Sequence, residues 1–203
     1  MNHPLLLVFL TLAGIWIAKL WHDDLKAAES GHPNPNALPG ATRAPWQANV
    51  IAASGALGLL AAETAGEAAL GIAGQQSHLT WWFALYSVVA APPIEELMFR
   101  GWLVVENRGR VLQWAGVVGA SVAFAALHPF LWRMEDTGFI LQFNVKGWFS
   151  TGVVFATSLW LYVTRLASWN PRRSLLPCMT GHFAKNVGVV AIKVATGFID
   201  SPW

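Results

Sequence analysis

Charge is scarce in this 203-residue chain: only 12% of its residues are Asp, Glu, Lys or Arg, about half the share a soluble domain carries. Cysteine is scarcer still. A single thiol, Cys178, excludes an internal disulfide and any multi-cysteine metal site and leaves the redox compartment open. The basic residues form no run, so nothing points to nucleic acid as a partner. No internal repeat or low-complexity tract is present. What the chain has instead is apolar bulk: 55% hydrophobic residues and 12 Trp, with a mean hydropathy of +0.44. That profile predicts an all-α polytopic integral membrane bundle of about six spans in one membrane domain, residues 1–203, with the lipid bilayer as its surroundings.

The first apolar run, Pro4 to about Trp21, reads as an anchor rather than a cleaved signal, because no Lys or Arg precedes it and no small-x-small pattern follows. A Pro/Asn-rich linker, 22–45, has no residues with which to build a core. The second run, Trp46 to about Thr64, is rich in Ala and Gly, which suits close helix packing in lipid; a Gly-rich loop holding Glu67 follows. These two spans fill residues 1–78. The remaining spans, 79–197, are expected at Leu79 to Val105 as one proline-interrupted crossing, then Gln113 to Trp132, Phe139 to Thr164, and Leu175 to Gly197. Arg108 and Arg110 fall in one loop and Arg165, Arg172 and Arg173 in another, so both loops face the side that the positive-inside tendency makes cytoplasmic. The loops around Glu67 and around Glu135 and Asp136 are poorer in basic residues.

Ionisable groups inside such runs are expensive and ask for a reason. The densest set is Pro92-Pro93-Ile94-Glu95-Glu96-Leu97-Met98-Phe99-Arg100. On a helix begun by the two prolines, Glu96 and Arg100 lie four apart and can pair, while Glu95 points about 100° away without that partner. One carboxylate is thereby held as a structural ion pair and its neighbour is free for acid/base work. Two further sites follow: His128, one turn after Phe124 and deep in the fourth span, and His182 with Asn186, four apart on one face of the last span. Hydrolysis of an amide needs this set of residue types. A carboxylate with an imidazole beside it can deprotonate water, and donors already aimed at the oxyanion stabilise the intermediate. Glu95 with His128 has the chemistry for the first task, His182 with Asn186 for the second.

Glu-Glu-x-x-x-Arg, Phe-x-x-x-His and His-x-x-x-Asn, in that order on successive apolar helices, resemble the CAAX protease and bacteriocin-processing family, the glutamate-dependent intramembrane endopeptidases related to the Ras-converting CaaX endopeptidase. The resemblance covers about residues 80–195. It implies a peptide hydrolase in which Glu95 and His128 activate water, His182 and Asn186 form the oxyanion site, and Glu96 and Arg100 support them. It also implies no cofactor, and a peptide or protein precursor as partner. A short chain of this kind is expected in a bacterial inner membrane, acting on a secreted or membrane-anchored precursor.

Three rival readings stand beside this one. Cys178 lies four residues before His182, a spacing compatible with a Cys/His dyad. Two His and a Glu are also a zinc ligand set, although His-Glu-x-x-His is missing. The same buried Glu and His residues, with Lys146 and Lys185, would equally serve a non-catalytic transporter or immunity protein as a proton or ion relay.

Overall fold

The structure, a computed structural model, describes residues 3–135 and 138–200. Asp136, assigned above to a loop poor in basic residues, lies outside them. The chain folds as α1 (Pro4–Glu29), α2 (Trp46–Ala69), β1 (Leu79–Thr80), α3 (Trp81–Val89), α4 (Ala91–Glu96), a π-helical segment (Leu97–Trp102), α5 (Arg110–Leu127), β2 (Trp132–Glu135), β3 (Gly138–Leu141), α6 (Val145–Leu166), α7 (Leu176–Thr196) and β4 (Ile199–Asp200). The fold is mostly helical, with two small sheets: β1 runs parallel to β4, and β2 pairs antiparallel with β3.

Three helices, α1, α2 and α5, are long and apolar enough to cross a membrane. The expected six spans are not established. α6 and α7 have 22 and 21 residues but are more polar along their length, and the crossing that contains the glutamates is broken into short pieces. Thr80 caps α3 by accepting from the Phe83 N–H, and Asn144 caps α6 by accepting from that of Gly147. Pro177 sits in the first turn of α7, and Gly197, left-handed at φ 79°, ends it.

Several expected boundaries move. α1 continues to Glu29, so the linker is residues 30–45, and it does contribute to a core. Ala41 is buried with Trp21, Leu25, Leu97, Leu175 and Cys178, and Leu38 packs against them. Bonds to its carbonyls hold the linker there: the Leu175 N–H donates to that of Gly40 at 3.0 Å, and the Trp21 indole Nε1 to that of Pro39 at 3.1 Å. A Pro/Asn-rich sequence limits what a segment buries by itself, but not where its neighbours place it. α2 likewise extends past Thr64, which makes Glu67 a buried helical residue rather than a loop one. The stretch read as the start of a span at Phe139 is the β2–β3 hairpin, whose register pairs Met134 with Phe139 and Trp132 with Leu141. Short apolar runs fit strand and helix alike until a partner strand decides.

The two Arg-bearing loops meet at one end of the bundle, where Arg173 Nη1 lies 3.1 Å from Glu106 Oε1. Arg165 is not in a loop; it is a buried residue of α6. At the opposite end the Leu79 N–H donates to the Phe198 carbonyl at 3.0 Å, and Lys146 pairs with Glu67.

Candidate active site

The prolines break the third crossing. Pro92 and Pro93 supply no N–H, α3 stops at Val89, and a new turn, α4, starts at Ala91. Part of the resulting deficit is met from α7, where Asn186 Nδ2 donates to the Ser87 carbonyl at 2.7 Å. Beyond Glu96 the helix widens into the π segment, with the Leu103 N–H reaching back to the Met98 carbonyl at 3.1 Å. That spacing is i→i+5, and π turns of this kind often sit at functional sites. Side chains of α6 take up the carbonyls around it. The Tyr162 hydroxyl bonds those of Phe99 (2.6 Å) and Leu103 (3.2 Å), and Arg165 Nε donates to that of Arg100 at 3.0 Å.

The Glu96 to Arg100 pair forms as the spacing requires, at 3.2 Å, with both side chains fully buried. The guanidinium does more than pair. Its Nη2 donates to the Ser158 hydroxyl at 2.6 Å, which in turn donates to Ser121 Oγ at 3.0 Å. Its carbon stands 4.5 Å from the Phe124 ring centroid and 5.0 Å from that of Tyr162, in cation–π range. Ser121, Ser158 and Tyr162 escaped the sequence reading, which places Arg165 only in a loop. Ser and Tyr carry little signal in an apolar run, and only the partner across the helix gives them a role.

His182 is the hub. Its Nδ1 donates to Glu96 Oε1 at 2.7 Å, the same oxygen that accepts from Arg100. A carboxylate fixed by Arg100 accepts there, which places a proton on Nδ1 and turns Nε2 toward Glu95, 3.8 Å from its Oε2. Glu95 Oε2 is buried and has no hydrogen-bond partner among the described residues. Glu96 is thus tied twice through Oε1, with its Oε2 buried and unbonded, while the buried Oε2 of Glu95 faces the ring of His182 that lies between them.

His128 is placed differently from the expectation. α5 ends at Leu127, so His128 is the residue that closes the helix rather than one deep inside a span. Its Nδ1 donates to the Phe124 carbonyl at 2.8 Å, and no hydrogen bond or ion pair joins it to Glu95. It does belong to the same cluster, because the Phe124 ring lies 4.7 Å from the His128 ring and 6.5 Å from that of His182. The structure therefore brings Glu95, Glu96, Arg100 and His182 into one cluster, sets His128 beside it across Phe124, and ties Asn186 to the α3 break.

The residues behind the rival readings are placed as follows. Cys178 is fully buried, and its Sγ bonds the Leu161 carbonyl (3.3 Å) and Thr164 Oγ1 (3.1 Å) of α6 instead of His182. Among the described residues no three His, Cys, Asp or Glu side chains come together as a metal site. The lysines read as candidate relay groups are paired: Lys146 with Glu67, and Lys185 with Glu63 at 3.1 Å.

The family model of the Type II CAAX prenyl endopeptidase Rce1-like proteins matches residues 77–188, more than half the chain. The chain belongs to this family. The match begins just before β1 and ends within α7, so it contains every residue of the Rce1-like site described above and leaves out α1 and α2. No curated protein and no solved structure matches the chain.

Proposed function

We propose that this Rce1-like protein is a membrane-embedded endopeptidase that hydrolyses a peptide bond by glutamate-activated water. The observation that carries this is the inequality of the two glutamates: Glu96 Oε1 accepts from both Arg100 and His182, whereas Glu95 Oε2, buried 3.8 Å from His182 Nε2, accepts no hydrogen bond among the described residues. In the reaction, Glu95 takes a proton from water as the oxygen bonds to the carbonyl carbon. His182, held from behind by Glu96, and the remaining amide N–H of Asn186 stabilise the resulting oxyanion. Collapse breaks the C–N bond, and the amine leaves with the proton that Glu95 received. His128, whose Nε2 is free of the Phe124 carbonyl, assists that proton's movement. No covalent intermediate and no metal enter. The substrate class is a membrane-associated or secreted precursor, and the setting a bacterial inner membrane.

Mass spectrometry of protein termini in membranes that carry the wild-type chain or Glu95→Gln tests this. New termini should arise only with the wild type, while both proteins accumulate equally. Identical termini in the two membranes would defeat the proposal. The transporter reading gains nothing from the structure, since the lysines it would use are already neutralised by carboxylates.

A further inference from the structure

α2 carries no residue of the family match, yet its packing against α7 is the most extensive between any two helices of the described chain. Small residues allow the approach. A Cβ added at Gly181 would stand 3.1 Å from the Ala52 carbonyl oxygen, and one at Gly188 would stand 2.4 Å from Leu60 Cδ2. These two glycines flank the segment of α7 that bears His182 and Asn186. Between them Lys185 turns toward α2 and α6, where its Nζ lies 3.1 Å from Glu63 Oε2 and donates to Thr157 Oγ1 at 2.8 Å. Withdrawing most of such a pair from water is costly where apolar side chains would pack without that cost, so its presence asks for a role.

The geometry of α7 supplies one. At 3.6 residues per turn, Lys185 projects about 60° to one side of His182 and Asn186 about 40° to the other. Asn186 is tethered to the Ser87 carbonyl of α3, and Lys185 to α2 and α6. His182 lies between two opposed ties, which fix the rotation of α7 and so the direction of Nε2 toward Glu95. We propose that Glu63, acting through Lys185, is a positioning residue of the active site: helix α2 sets the angle at which α7 presents His182. This deepens the endopeptidase proposal and rests on it for its effect on turnover.

The test uses the full-length protein in lipid nanodiscs as wild type, Glu63→Gln, and the exchange Glu63→Lys/Lys185→Glu, which restores an ion pair with its sense reversed. Glu63 borders a cleft of about 360 Å³ between α2 and α6, so a longer side chain has room there. Amide hydrogen exchange is followed for the α7 peptide covering 181–188, with α5 as internal reference. Glu63→Gln should speed exchange in 181–188 about tenfold and leave α5 unchanged, and the exchange variant should recover most of the protection. Equal acceleration in both helices, or no recovery, would overturn the proposal by showing a merely structural contact. The same preparations report turnover through the termini they generate, expected to fall about tenfold in Glu63→Gln and to recover in the exchange variant. If turnover falls without recovering, the positioning role is wrong. If the wild type generates no termini, the endopeptidase proposal fails, and the exchange measurement still decides whether Glu63 fixes α7.

Discussion

Two groups of buried charge lie against α7, and they are built on different terms. In the first, Glu96 and Arg100 are fully buried, Glu96 is bonded by both Arg100 and His182, and Glu95 beside them is left with a free acceptor. In the second, nearer the other end of the bundle, each acid has a lysine of its own, Glu63 with Lys185 and Glu67 with Lys146; Gln76 adds a bond to Glu67 at 2.9 Å, and the buried Lys193 beside them donates to the Ser77 carbonyl. Both groups meet the cost of desolvating charge by pairing. Only the first leaves a carboxylate over. A matched set holds helices together, whereas an unmatched acid held in place by matched neighbours is what proton transfer requires.

Breaking the unmatched acid should give the largest effect on turnover. Glu95→Gln is expected to lower cleavage by about two to four orders of magnitude with the unfolding midpoint unchanged, as read by termini generated in membranes and by thermal unfolding in nanodiscs. Glu96→Gln breaks the matched side. It leaves Arg100 without its counter-charge in a fully buried place and should cost about 3–5 kcal/mol of stability, measured by denaturant titration in detergent. Because Glu96 also holds His182, turnover per folded molecule should fall too, so the two glutamates separate by stability and not by activity alone. In the second group, Lys146→Met should cost about 1–2 kcal/mol, less than Glu96→Gln because this pair keeps some solvent contact. Its turnover should match the wild type, since Lys146 lies at the opposite end of α6 from the Arg100 contacts. The smallest effect is expected from Cys178→Ala: a loss of about 1 kcal/mol from the vacated volume with unchanged cleavage. Lost cleavage there would return the thiol to the chemistry and reverse the roles assigned to the two groups.

The first group was legible from spacing. Glu96 and Arg100 four apart, and His182 and Asn186 four apart, need only helical periodicity to be placed, and the widening at Leu97–Trp102 did not undo the pairing. The second group was half legible. Lys146 and Lys185 stand out in apolar runs, but nothing in the sequence says that their acids lie on α2, more than 75 residues earlier. His128 was misplaced for a related reason. An apolar run continuing to Trp132 extends a span on paper, while in the fold the helix stops at Leu127 and the chain turns into a hairpin.

By itself, the sequence determined the membrane character, the order of the helices and the residues that carry charge, because composition and periodicity act within one segment. Tertiary structure decided which charge meets which. Glu95 and Glu96 are neighbours with the same side chain, and their difference arises from Arg100 across one widened turn and from His182 on a helix 86 residues later. Desolvation makes every buried charge find a partner or a use, and the packing of helices decides which of the two it gets.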